Sequence, residues 1–224
     1  MRTWVEMGFA DANGGGNNVP VLTALNKHIE PPSGPASTCT VDMYTDGGGS
    51  THQCRHSAGW GCAVVQSVHG HKTTHLQLGQ LRDDEHRAVE ERGVTNNDAE
   101  LRGLLEAARE ASKLAHAFTA EPGVNTCTAK PRVTIHTDST YAILRAVGPP
   151  VKKKKHRDIT RMIRSALASA RAVLGPGNVL LRKVRGHSGH AGNDVADALA
   201  TEGRAGHAMP SAALILKAKQ AFGG

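Results

Sequence analysis

The sequence predicts an α/β layered domain whose first three strands are antiparallel. Three observations predict it. Several short stretches alternate apolar and polar residues, others repeat apolar residues at helical spacing, and their order is β-β-β-α-β-α-α-β-α. At 224 residues the chain has room for one well-packed domain with extensions rather than two full domains.

Residues 1–39 hold Gly-, Asn- and Pro-rich runs (NGGGNN, EPPSGPAS) and are expected to form a low-complexity, disordered extension ending in a linker. The domain is expected over 40–206. TVDMYTD sets Val41, Met43 and Thr45 against Asp42, Tyr44 and Asp46, a strand that runs into the GGG break. SAGWGCAVVQS and KTTHLQLGQL read as two more strands joined at HGH, completing a meander. RDDEHRAVEERG is polar, a loop or a short exposed helix. TNNDAELRGLLEAAREASKLAHAF places Leu101, Leu104, Leu105 and Ala108 on one face of a helix, capped by Thr95 or an adjacent Asn. After the loop EPGVNTCTAKP, RVTIHTDS is a fourth strand and TYAILRAV a short helix stopped by GPP. VKKKKHR precedes the helix DITRMIRSALASARAVL, and NVLLRKVRG is a fifth strand. A last domain helix is expected from about Asn193, its cap, to Arg204. Residues 207–224 form a tail in which MPSAALILKAKQAF suits a short amphipathic helix.

Composition narrows the function. The net charge is +7; residues 1–39 hold two basic and three acidic side chains, which leaves +8 on the rest. A basic core suits a polyanion such as nucleic acid, although a merely soluble basic surface fits the charge equally well. Aromatics are only 3%, too few for the stacking platforms of a single-strand binder, so backbone recognition is expected. Cys39, Cys54, Cys62 and Cys127 form no CxxC pair, which disfavours structural zinc or a disulfide framework and suits a reducing compartment. No stretch approaches the roughly 18 apolar residues of a membrane span, and no secretory signal is visible. An intracellular, cytoplasmic or nuclear, monomeric protein without membrane contact is expected.

Four acids stand at element ends beside apolar packing. Asp46 closes strand one and Asp138 strand four, where α/β sheets open their crevices. Glu100 lies in the first turn of its helix, and Asp197 borders the core of the last one. Each alone reads equally as a turn, cap or dipole-complementing acid. Together they would repel one another unless divalent cations compensate them, and all-oxygen ligation suits Mg²⁺ or Mn²⁺ rather than zinc. Two such ions about 4 Å apart are the machinery of phosphodiester cleavage.

TDGGG, GWG, TNNDAEL, HTDSTYA and GHSGHAGNDVADALA follow in the order and spacing of type 1 ribonuclease H, which residues 40–206 resemble. The resemblance implies a five-stranded mixed sheet with helices on both faces, strand one parallel to strand four. It implies endonucleolytic hydrolysis of the RNA strand of RNA–DNA hybrids with two Mg²⁺ ions, Mn²⁺ substituting, leaving 5′-phosphate and 3′-hydroxyl ends. Asp46, Glu100, Asp138 and Asp197 fall on the family's metal-binding carboxylates and His187 on its catalytic histidine. His187, in a loop, would move protons or assist product release and matter less than the acids. Asn96 and Asn97 match paired asparagines that can address a 2′-hydroxyl, unless they cap the helix. Gly47 and Gly48 would let the backbone approach the RNA, and Ser139 is a further substrate-binding candidate. Lys152, Lys153, Lys154 and Lys155 lie near the place of a basic helix of the bacterial enzymes and suit phosphates, although a solvated charge run or a nuclear import signal fits them too.

There are departures. Asp98 stands where bacterial relatives often carry a basic residue, and GGSTHQCRHSAG is longer than the usual turn between strands one and two. His190 and Asp194 read as loop structure and a dipole acid. Two alternatives stand beside an active hybrid nuclease. One is a catalytically silent hybrid-binding module, which need not keep all four acids. The other is the nuclease portion of a retroelement polyprotein, against which the initial Met and the absence of polymerase sequence speak.

Overall fold

Alternation in the sequence becomes a five-stranded mixed sheet in a computed structural model that describes residues 39–49, 57–82, 93–120, 130–149 and 155–223. The extension before Cys39, the turn at 50–56, the polar segment 83–92, the loop 121–129 and Lys152, Lys153 and Lys154 lie outside the described residues. The strands are β1 (Cys39–Gly49), β2 (Ser57–Val68), β3 (His71–Arg82), β4 (Arg132–Thr137) and β5 (Val179–Lys183). They lie side by side in the order β3-β2-β1-β4-β5. β1–β2 and β2–β3 are antiparallel, as expected of a meander, while β1–β4 and β4–β5 are parallel.

Helices α1 (Asn96–Ala120), α2 (Thr140–Val147) and α3 (Arg157–Leu174) cover one face. Leu101, Leu104 and Leu105 of α1 and Ile163 and Leu167 of α3 are fully or almost fully buried against Met43, Val64 and Ile135. These are the positions that helical and strand periodicity point inward. Thr95 caps α1: its carbonyl accepts the amides of Asp98 and Ala99, and Asp98 reaches back to the Thr95 amide at 2.8 Å, a reciprocal capping box.

Helices α4 (Ala191–Arg204) and α5 (Ala212–Phe222) cover the other face. α4 lies directly on β2 because Gly61 faces it: a Cβ there would run into the Ala196 carbonyl and the Leu199 side chain. The tail expected past residue 206 packs as α5, burying Leu214, Ala218 and Phe222 with Val65 and Leu199. No helix among the described residues is long and apolar enough to cross a membrane.

Two boundaries differ from expectation. β1 does not close at Asp46 but runs on through the three glycines to Gly49, held in register by antiparallel pairing with β2. α4 begins at Ala191, with His190 rather than Asn193 at its N-cap. Gly192 makes this possible, since a Cβ there would strike the Tyr44 ring. The chain therefore reaches the sheet and turns helical early, and Asn193 sits inside the helix, 2% exposed.

Candidate active site

Parallel pairing of β1 with β4 builds the site. Their last paired residues are Thr45 and Thr137, so the next residue of each strand's run, Asp46 and Asp138, stands where the parallel pairing ends, with Asp46 still paired to Gly61 of β2. Ser139 takes over capping of α2, its hydroxyl accepting the Ala142 amide at 3.1 Å. The cap role that Asp138 could have filled is therefore taken, and its carboxylate is left for the crevice.

Glu100 arrives from α1. A Cβ at Gly47 would collide with the backbone of Ala99 and Glu100. Only glycine lets the tip of β1 touch the helix so closely. The space opened at Gly47 is thus filled by α1 rather than offered to a ligand, whereas Gly48 meets only Ala200 Cβ at 3.9 Å. Since α1 starts at Asn96, Glu100 falls past the first turn, whose acid is Asp98. It is a buried residue, not an exposed dipole acid.

One oxygen from each of Asp46, Glu100 and Asp138 lies within 4.8 Å of the others. Asp46 and Glu100 are only 6% and 7% exposed, and their protonation reflects that crowding. Burial, then the Asp138 charge, pushes Asp46 up to about 7 against the pull of the Gly47 amide, with Asp197 adding to the rise. Burial, then Asp46 and Asp138, pushes Glu100 up to about 9, while Asn96 and Lys183 draw it down. Asp46 Oδ1 accepts the Gly47 amide at 2.7 Å. Glu100 Oε1 accepts Asn96 Nδ2 at 3.3 Å, but Oε2 is buried without a hydrogen-bond partner.

A buried oxygen without a partner inside a ring of acids costs free energy, and ionising its carboxyl costs more unless a cation meets it. The three donors are all carboxylate oxygens, with no cysteine or histidine among them. The set fits a hard divalent cation of the Mg²⁺ or Mn²⁺ kind.

The other candidates fall around this centre. Asp197, half-buried on α4, is near enough for its charge to act on Asp46 but stands outside the three-acid cluster. His187 is exposed in the loop between β5 and α4, in the left-handed region at φ 50°. Asn96, exposed at the start of α1, commits both ends of its amide to the protein, accepting the Gly49 amide at 2.7 Å and donating to Glu100; Asn97 beside it is exposed too. Ser139 is buried in its cap. Lys155 is exposed.

Three features escaped sequence reasoning. Lys183, which ends β5, donates to the Asp138 carbonyl at 2.5 Å. His156, inside the basic run, is 3% exposed at its side chain, with Nε2 2.8 Å from Asp98 Oδ1 and Nδ1 2.6 Å from the Tyr141 hydroxyl. The Tyr141 hydroxyl in turn accepts two bonds from Arg145. Asp98 thereby ties the start of α1 to the start of α3, and the unusual acid has a structural task. Tyr44 stacks on His136 at 4.6 Å and on Phe222 at 5.7 Å, locking α5 onto the sheet.

Known proteins resemble the chain in sequence and in fold. A ribonuclease H of Herminiimonas arsenicoxydans is 28% identical over 169 residues, covering 73% of this chain and 93% of that protein. A ribonuclease H of Janthinobacterium sp. (strain Marseille) is 27% identical, covering 73% and 94%. In fold, the chain resembles the crystal structure of LC9-RNase H1, a type 1 RNase H with the type 2 active-site motif. That likeness has a TM-score of 0.52 at 20% identity over 84% of this chain and 86% of that one. The sequence profile of RNase H matches residues 38–205. With that match over most of its length, the chain belongs to the RNase H family of ribonucleases.

Proposed function

We propose that the protein hydrolyses the RNA strand of RNA–DNA hybrids, using two Mg²⁺ ions and leaving 5′-phosphate and 3′-hydroxyl ends. The observation that carries this reading is the buried cluster of Asp46, Glu100 and Asp138, with its unpartnered Glu100 Oε2. Asp46, Glu100 and Asp138 would hold the ions, with Asp197 as the fourth carboxylate. Held by these carboxylates, divalent ions would supply activation of a water toward the phosphodiester and charge stabilisation at the departing 3′-oxygen.

The chain's own groups supply the rest. The Gly47 amide orients Asp46, and Asn96 both pins the β1 tip and orients Glu100. These bonds fix the carboxylates before substrate arrives, which is where electrostatic preorganisation comes from. The exposed imidazole of His187 can accept or release a proton at a ring nitrogen beside the crevice. Asn97, exposed next to Glu100, can meet a 2′-hydroxyl, and Lys155 with Lys152, Lys153 and Lys154 can meet phosphates.

The test is incubation of the purified chain with Mg²⁺ and RNA–DNA hybrid, double-stranded RNA or double-stranded DNA. Cleavage of the hybrid's RNA strand alone, abolished in Asp46→Asn, is expected. Hybrid binding without cleavage would replace the nuclease by a silent binding module.

A further inference from the structure

The acid cluster has a cation of its own. β5 runs parallel to β4 with Lys183 opposite Thr137, one residue short of Asp138. Val179 and Leu181 of the same strand enter the core on the face that α1, α2 and α3 cover, so the alternation of the strand sends Lys183 to that face, the one from which Glu100 arrives. The side chain is half-buried. Its ammonium is anchored on a backbone carbonyl, that of Asp138, at 2.5 Å, rather than on one carboxylate. Its charge still acts on Glu100. A lysine held this way cannot swing out to water without abandoning a part-buried hydrogen bond.

We propose that Lys183 is a resident counter-ion of the carboxylate cluster, which steadies the acids when no metal is bound and weakens the binding of the metal that replaces it. The inference rests on the metal-binding reading of the three acids. Its physical content is simple. A fixed positive charge beside three carboxylates lowers their mutual repulsion, and the same charge repels an arriving divalent cation. Lys183 is a positioning residue, since it acts through Asp138 and Glu100. It sets how readily ions enter and leave the site, a property separable from cleavage.

Mn²⁺ binding to the full chain without nucleic acid, followed by the electron paramagnetic resonance signal of free Mn²⁺, tests this. Lys183→Met is expected to tighten Mn²⁺ binding several-fold, on the order of tenfold at the effective dielectric of a protein crevice. Lys183→Arg, which keeps the charge, is expected to bind as the unsubstituted chain does. In EDTA at pH 8 the Met variant should melt lower than the Arg variant. If the Met variant does not fold, Lys183→Gln keeps a donor for the Asp138 carbonyl but no charge, and must show the same tightening. Mn²⁺ affinity unchanged or weakened in the uncharged variants would overturn the role of Lys183 alone. Absence of Mn²⁺ binding in the unsubstituted chain would overturn the metal reading and this inference with it.

Discussion

Replacing Glu100 with Gln should make the metal-free protein more stable while destroying its activity. In the folded chain, burial and the neighbouring acids raise the Glu100 carboxyl from 4.5 to about 9. An acid raised on folding contributes stability below its unfolded value, and that contribution is lost as pH climbs toward the folded value. At pH 8 the folded chain still largely holds the Glu100 proton that the unfolded chain has released, and the resulting loss of stability would reach about 5 kcal/mol at its upper limit. Part of it is mutual with Asp46, which relaxes when Glu100 becomes neutral, and water reaches the half-exposed side of the crevice. A net gain of about 2 kcal/mol is the working expectation, or about 4–8 °C in melting temperature for a domain of this size. Glutamine keeps the Oε1 acceptor for Asn96 and places a neutral amide at the position of the unpartnered Oε2. The assay is thermal unfolding in EDTA at pH 4, 6 and 8, with and without added Mg²⁺. The variant's advantage should be absent at pH 4, grow through pH 8, and shrink with Mg²⁺, which stabilises only the chain that binds it. A variant that melts lower at pH 8 in EDTA, or an advantage equal at pH 4 and pH 8, would refute the reasoning.

Further outcomes follow from the same geometry. Asp138→Asn should abolish measurable cleavage, whereas His187→Ala should lose on the order of 10- to 100-fold and keep activity, most visibly with Mn²⁺; equal losses in single-turnover rates would remove the distinction. Gly47→Ala should destabilise the fold by about 1–3 kcal/mol and separate Glu100 from Asp46, since its Cβ would strike the α1 backbone; urea unfolding and an activity loss read both effects. Asp98 behaves oppositely to Glu100. Its burial alone would raise the carboxyl, but hydrogen bonds from His156 and Thr95 hold it down to about 2. It therefore adds stability above the ordinary aspartate range, a contribution lost as pH falls toward 2. Asp98→Asn should cost about 1–2 kcal/mol at pH 7, after discounting for the part of the side chain open to solvent. The cost should narrow between pH 4 and pH 2 in denaturant titrations.

Much of this site is written locally in the chain. Asp138 follows an alternating strand and precedes a helix, while Asp46 lies within a strand that outruns its predicted end by three glycines; the parallel pairing of β1 and β4 still sets the two acids side by side. The core leucines of α1 were legible from their spacing. What depends on close tertiary approach was not. Glu100 reads as a first-turn acid, because nothing near it reveals that Gly47 brings β1 against the helix backbone. Asn193 has the residue type and the place of a cap, yet Gly192 slipping beneath Tyr44 starts α4 two residues earlier and buries the asparagine. His156 hides within a run of lysines, and only its partners on two other helices, Asp98 and Tyr141, distinguish it from them. Lys183 looks like any basic strand end until the register of β5 puts it beside Asp138. Local pattern, in short, shows which residues can form a site, while backbone contact decides how buried and how charged that site becomes.

The most direct measurement of the central claim is the rate of RNA-strand cleavage in an RNA–DNA hybrid as Mg²⁺ is raised from zero in an EDTA-stripped protein. The carboxylate cluster predicts no cleavage without the ion, a rate that rises and saturates with Mg²⁺, and fragments bearing 5′-phosphates. Cleavage that proceeds unchanged in EDTA, or a hybrid that binds at saturating Mg²⁺ and stays whole, would contradict it.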